Sequence, residues 1–299
     1  MMFCTSSELT FYNEIHRFLD NDSAALDVFR QHRVLHSSVN CPSCNSTCTL
    51  RENISMFRCR KIVRRRRQRL VECRYSVSLY NNTLLERSQL PLWKVLLYVS
   101  HFLTESWSHR SIMENLNISY TISIDWRSFC SEDCLYWVEN HQEQIGRPGV
   151  EVETDETVLV GRKYSRGRLV KTIWLFGGIE RETKTKFLIP LSSECGEEER
   201  RNAATLIPIH NNSDSWGAYN SLGNLGYTPF QVNHSENFVD PANLSVHRQT
   251  IGSLWGALKG MVIRPGIRAR FLKQYLSRFQ FIEDIKPAAR RMHVFLLQA

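Results

Sequence analysis

Two cysteines separated by two residues, Cys41-Pro42-Ser43-Cys44, have the spacing that lets one tight turn present two thiolates to a tetrahedral zinc ion. Cys59 follows in the strand-like triplet Phe57-Arg58-Cys59, as a zinc ribbon requires. A ribbon would place its fourth ligand at position 62, but that residue is Ile62, which leaves Cys73 or Cys48 to complete the set. The competing reading is a decayed finger whose cysteines are reduced and unligated. Around Cys59, residues Arg58, Arg60, Lys61, Arg64, Arg65, Arg66, Arg67 and Arg69 form the densest charge cluster in the chain, with aromatic Phe57 beside them. Guanidinium forks grip phosphate oxygens regardless of base sequence, so the cluster fits DNA contact. A solvated basic loop or a nuclear-import signal fits it as well.

A second constellation is acidic. Asp155 lies inside Glu151-Val152-Glu153-Thr154-Asp155-Glu156, a strand-like segment with more carboxylates than a central strand tolerates unless a cation neutralises them. Two divalent ions would do so. Asp214, in Ser213-Asp214-Ser215-Trp216, follows the turn-forming pair Asn211-Asn212; by itself it reads as the N-cap of a following helix.

The elements that must position these groups are legible from hydrophobic period. Residues 1–40 read as a helical segment, with Phe11, Ile15, Phe18, Leu19, Leu26, Phe29 and Val34 at amphipathic spacing. Residues 41–80 form the zinc-ribbon-like basic region, too poor in apolar residues for an independent core. Residues 89–145 are helical. Within them Ser108 to Phe129 fits a helix-turn-helix, with Ile112 and Leu116 packing the first helix, Ser119 to Thr121 turning, and the second helix carrying Trp126 and Arg127. Two ordinary packing helices fit the same pattern. After the linker Gly146-Arg147-Pro148-Gly149 the period becomes alternating: strands are expected from Val150, over Thr172 to Ile179, over Lys186 to Leu191 and over Thr228 to Val232. Helices follow from about Thr250 to Met261 and from Ile267 to Phe281. Residues 150–283 therefore read as one α/β domain, a mixed sheet flanked by helices, and 284–299 as a tail.

Composition limits the partners. With 299 residues, 42% apolar and 23% charged, the chain can bury one sizeable core plus a smaller appendage. A net charge of +8 favours a polyanionic partner. No membrane partner is expected, because the longest apolar stretch, Val95 to Leu103, is interrupted by Ser100 and His101 and falls far short of the roughly 20 residues a spanning helix needs. Met1 to Thr10 does not read as a signal peptide. Nine scattered cysteines, an odd number, point to a reducing compartment rather than a disulfide scaffold.

Taken in order, Val152-Glu153-Thr154-Asp155-Glu156-Thr157, Trp174-Leu175-Phe176-Gly177-Gly178-Ile179-Glu180, Ser213-Asp214-Ser215-Trp216, Val232 to Pro241, and His247-Arg248-Gln249-Thr250-Ile251-Gly252-Ser253-Leu254-Trp255 with Lys259 resemble the Merlin-type DDE transposases, relatives of the ISXO-like insertion-sequence enzymes. The resemblance runs from about Cys41 to Phe281. It implies an RNase H-like catalytic core behind an N-terminal zinc ribbon, acting on DNA and transposon terminal inverted repeats, with homo-oligomers as a further expectation. Three carboxylates of such a core hold two Mg2+ or Mn2+ ions that drive an in-line phosphoryl transfer. By motif, Asp155 is the first ligand and Asp214 the second, while Lys259 is a phosphate-facing lysine. The third ligand, a glutamate, falls where this chain has Gly252. The approach to Asp214 also reads as shortened, since Ala203 to Asn212 offers a helix end and Asn-Asn in place of the strand that would aim Asp214 at Asp155. The resemblance therefore implies a transposase-derived DNA-binding protein with impaired catalysis. The alternatives are an active enzyme in which Glu236 or Asp240 replaces the missing carboxylate, or an unselected remnant of a mobile element. Localisation follows the partner: nuclear in a eukaryote, cytoplasmic or nucleoid otherwise.

Overall fold

The computed structural model describes residues 18–64, 70–104, 108–142, 145–146, 150–160, 173–191, 210–214, 228–232, 249–262, 269–286 and 288–298. The chain divides into two compact units, residues 1–133 with 285–299, and residues 134–284.

In the first unit, α1 (Asp22–Gln31) starts where the Asn21 side chain accepts the Ala24 backbone N–H at 3.0 Å, and it buries Ala25, Val28 and Phe29. A small antiparallel sheet follows, in the order β1 (Thr49–Arg51), β2 (Met56–Arg58), β5 (Ser76–Ser78). A hairpin of β3 (Ile62–Arg64) and β4 (Leu70–Glu72) lies between β2 and β5 in sequence. Its pairing continues theirs without a slip: Arg58 faces Ser76, the Cys59 N–H donates to the Tyr75 carbonyl at 2.9 Å, the Cys73 N–H donates to the Lys61 carbonyl at 2.8 Å, and Ile62 faces Glu72. The two arms are thus one long ribbon. Alternation sets its faces, with Phe57, Cys59 and Cys73 buried and Arg58, Arg60, Glu72 and Arg74 exposed.

Three helices follow: α2 (Leu92–Phe102), α3 (His109–Leu116) and α4 (Tyr120–His141), the last of which runs past the end of this unit at Asp133. The Tyr98 hydroxyl donates to the Ser123 carbonyl at 2.6 Å, tying α2 to α4. The turn between α3 and α4 is Asn117-Ile118-Ser119, two residues earlier than the Ser119 to Thr121 expected. Asn117 takes the left-handed conformation that ends α3 (φ 47°), and the Ser119 hydroxyl accepts the Ile122 N–H at 3.3 Å, starting α4.

The second unit is built on a five-stranded mixed sheet. Its strands are β6 (Val152–Val160), β7 (Ile173–Glu180), β8 (Lys186–Leu191), β9 (His210–Asp214) and β10 (Thr228–Val232), in the spatial order β10-β9-β6-β7-β8. The first three strands are antiparallel neighbours; β9 runs parallel to β6, and β10 parallel to β9. Helix α5 (Gln249–Val262) packs on β6 and β7, and α6 (Leu272–Asp284) packs against α5. Leu175, Ile179, Ile251, Leu258 and Phe279 fill the core between them. At this apolar density their burial stabilises the unit by about 1.5–3 kcal/mol per fully buried side chain. The C-terminal residues read as a tail carry α7 (Ala288–Gln298), which belongs to the first unit and buries Met292, Phe295 and Leu296. Among the described residues, no helix is long and apolar enough to cross a membrane.

One expectation is overturned. The strand leading into Asp214 is present as β9, although His210-Asn211-Asn212-Ser213-Asp214 has no apolar alternation. Its backbone is paired on both sides, by β6 and by β10, and central ladder hydrogen bonds hold a strand whose own side chains give no strand signal.

Candidate functional site

The ribbon brings four thiols together. The sulfur atoms of Cys41, Cys44, Cys59 and Cys73 all lie within 4.8 Å of one another, with Cys41 to Cys73 at 3.5 Å and Cys44 to Cys59 at 3.4 Å. A tetrahedron with ~2.3 Å metal–sulfur bonds has edges of about 3.8 Å, so this donor set fits a metal ion such as zinc. The turn after Cys41 is closed by the Asn45 N–H donating to the Cys41 carbonyl at 2.8 Å, with Asn45 itself left-handed (φ 50°). The expected fourth ligand thus resolves to Cys73. The β3–β4 hairpin occupies the space between Cys59 and the fourth ligand, which is why position 62 is not a cysteine. Cys48 is buried nearby but is not one of the four; its N–H donates to the Val39 carbonyl, and burial pushes its thiol up.

Two of the four thiols, Cys44 and Cys59, shift in opposite directions. The Ser46 backbone draws the Cys44 thiol down to about 6. At Cys59 the Lys61 backbone acts in the same direction, but burial and the thiols of Cys44, Cys73 and Cys41 outweigh it and push Cys59 up to about 12. A divalent ion at this point would take the sulfurs as thiolates.

Of the basic cluster, Arg58, Arg60, Lys61 and Arg64 are exposed on the ribbon. Arg65, Arg66, Arg67 and Arg69 lie outside the described residues.

In the second unit the buried carboxylate of the acidic strand is neutralised from within the chain. The fully buried Glu153 accepts from Arg181 Nε at 2.7 Å and from the Ile251 backbone N–H, at the start of α5, at 2.9 Å. Arg181 also pairs with Glu151. A cation and a helix N-terminus are the two partners a buried carboxylate needs, so Glu153 requires no divalent ion. Sequence reading missed Arg181, whose signal is its place directly after β7, across the sheet from Glu151.

Asp155, half-buried on β6, accepts from the Trp255 indole N–H at 3.1 Å. The Trp255 ring can lie there because residue 177, opposite Asp155 on β7, is glycine: a Cβ on Gly177 would stand 2.5 Å from the ring. Asp214 ends β9. The register pairing Val152 with Asn211 and Glu153 with Asn212, carried two residues further, sets Asp214 level with Asp155 on the neighbouring strand. Asp214 is therefore a strand-end residue; the helix it would cap lies outside the described residues.

Gly252 lies one turn before Trp255 on the helix that meets Asp155. It is exposed, and a Cβ there would meet nothing within 4 Å. Lys259, one turn after Trp255, is half-buried. Glu236 and Asp240 lie outside the described residues. Among the described residues, the four cysteines are the group of three or more metal-ligating side chains close enough to share one ion.

The helix-turn-helix residues are engaged internally. Arg127 Nη1 donates to His109 Nε2 at 2.9 Å, which fixes the His109 proton on Nδ1, 2.9 Å from the Ser123 hydroxyl. Burial, then the Arg127 charge, lower His109 to about 4. Trp126 is buried. Neither residue singled out on this helix is thus presented outward for base contact.

Compared with known proteins, the chain matches no family model, and no curated protein matches it as a relative.

Proposed function

We propose that this chain is a transposase-derived DNA-binding protein whose second unit is an RNase H-like core of the Merlin type that no longer cuts DNA. The observation that carries this reading is the sheet. Its first three strands are antiparallel neighbours, Asp155 sits on the first, the register sets Asp214 level with it on the adjoining parallel strand, and the helix bearing Gly252 packs on the same strand. That is the arrangement the resemblance calls for, with two of three carboxylates in register. The metal-ready ribbon with its exposed arginines, and the chain's net charge of +8, support DNA as the partner. The ribbon's ion is proposed to be zinc, since four thiolates in a tetrahedron are its preferred structural set.

Loss of cutting follows from coordination. Two aspartates can hold one Mg2+ or Mn2+ ion, but a second ion at the same site needs a third carboxylate, and position 252 offers none. The Gly252 carbonyl is no substitute, because inside a helix it points along the axis toward the residue four places on.

The test combines duplex binding with strand nicking in Mg2+ or Mn2+, on a substrate bearing inverted-repeat ends. The natural chain is expected to bind and not to nick, and Gly252→Glu, for which there is open space, is the variant able to recover nicking. Metal-dependent nicking by the natural chain that vanishes in Asp155→Ala would instead establish an active enzyme with Glu236 or Asp240 recruited. Absence of duplex binding would sink the DNA-binding reading.

A further inference from the structure

The two arms of the metal ribbon carry the same dipeptide at the same level. Cys59-Arg60 and Cys73-Arg74 each place a thiol on the buried face and an arginine on the exposed one. Arg58 pairs with Ser76 and Ile62 with Glu72, and the backbone hydrogen bonds from Cys59 to Tyr75 and from Cys73 to Lys61 keep that register between them. Arg60 therefore stands directly opposite Arg74. Like charges facing each other across a ladder destabilise it unless an anion lies between them.

A cleft of about 370 Å³ lies at this point. It is lined by Arg58, Arg60, Arg74, Tyr75, Ser76 and Glu72, with Cys59 and Cys73 at the same place. Among the described residues, none of the three arginines is ion-paired, and Glu72 pairs with none of them. Three guanidinium groups against one carboxylate leave the cleft at a formal +2. The Ser76 hydroxyl adds a neutral donor, and planar guanidinium forks match the oxygens of a phosphate.

We propose that this cleft binds a phosphate group of the nucleic-acid backbone, with Arg60 and Arg74 as the paired donors and Arg58 and Ser76 beside them. The metal ion assembles it: by drawing Cys59 and Cys73 onto one point, the ion holds the two following arginines side by side, an arrangement they would otherwise resist. Metal and phosphate thus occupy opposite faces of one ribbon, and each offsets the repulsion among the charges on its own face. That the phosphate belongs to DNA rests on the function proposed above; that the cleft takes phosphate does not.

The experiment uses the full, metal-loaded chain and three forms: natural, Arg60→Gln/Arg74→Gln, and Arg60→Lys/Arg74→Lys. Fluorescence anisotropy with a labelled duplex over a range of salt gives affinity and the slope of log K against log salt, and calorimetry with inorganic pyrophosphate gives duplex-independent phosphate binding. Metal content of one ion per chain confirms that each ribbon is folded; if the glutamine pair loses its ion, Arg58→Gln, which neighbours no ligand loop residue on the opposite arm, carries the same comparison. The glutamine variant is expected to bind the duplex about tenfold more weakly with a slope reduced by about 1, the loss of roughly one phosphate contact, and to lose pyrophosphate binding, while the lysine variant recovers the slope but only part of the affinity. A metal-loaded glutamine variant with unchanged slope and unchanged pyrophosphate binding would overturn the cleft and leave DNA binding intact. Pyrophosphate binding that depends on Arg60 and Arg74, in a chain that does not bind duplex, would keep the cleft and sink the DNA reading. Binding of neither by the natural chain would overturn both.

Discussion

The cysteine ribbon and the acidic strand both gather groups that repel one another, and they resolve the repulsion in opposite ways. In the ribbon, four sulfurs converge within 4.8 Å of one another, so the cluster is closed in geometry and, as four thiolates, open in charge. On β6, the buried Glu153 is already matched by Arg181 and by the start of α5, so that carboxylate is closed in charge, while the Trp255 indole N–H that donates to Asp155 is neutral. A donor set left unneutralised by its own chain is one that a metal can enter with gain. A set whose members already have partners has to give something up first.

Breaking the ribbon should produce the largest effect. Cys59→Ser and Cys73→Ser are expected to abolish stoichiometric zinc and unfold residues 41–79, because structural zinc supplies apparent free energies on the order of 10 kcal/mol. Cys48→Ser should keep one ion per chain. Metal analysis with limited proteolysis checks both, and full zinc in Cys73→Ser would transfer the fourth ligand to Cys48.

Removing the internal cation tests the other side of the comparison. Arg181→Ala leaves Glu153, which has no solvent exposure, without its cation, and the second unit should lose about 3–5 kcal/mol in urea unfolding. Added Mg2+ that restored this stability would mean the acidic strand takes an ion readily after all.

A smaller effect separates the units by pH. His109 titrates at about 4 in the folded chain against 6.5 as its ordinary value, so its neutral form is the folded one. Its contribution is complete above pH 6.5 and is lost as pH falls from 6.5 toward 4, muted because the ring is only half-buried. His109→Gln should flatten the stability of the first unit across that window. A window unchanged in the variant would assign the acid sensitivity elsewhere.

The smallest effect is at Gly252. Gly252 is an exposed helical glycine with open space around it, so Gly252→Ala should raise stability by about 1 kcal/mol. Gly252→Glu should gain less than alanine if its carboxylate is repelled by Asp155, and more once Mg2+ is added; thermal unfolding of the two variants with and without the ion measures the difference.

Much of the frame was legible because period is local. Lys186 to Leu191 and Thr228 to Val232 were read at the bounds the structure gives them, and the helix read from Thr250 to Met261 runs from Gln249 to Val262. β9 was not legible, since its polar residues are held by neighbours on both sides and not by any pattern of their own. Arg74 was passed over because it stands outside the dense arginine run; the repeated Cys-Arg dipeptide was the signal that would have found it. The partner of Arg127 was not legible either, because His109 stands on the neighbouring helix, 18 residues away.

The sequence by itself determined the donor types: thiols in a tight pair, carboxylates on a strand and arginines in excess. Tertiary structure decided which of them meet. Cys41 and Cys73 lie 32 residues apart, Glu153 and the N–H that caps it 98, Asp155 and Trp255 100. Such partners are fixed by sheet register and by the packing of a helix across it, quantities that no local pattern of residue types encodes, because they depend on how the whole chain buries its apolar faces.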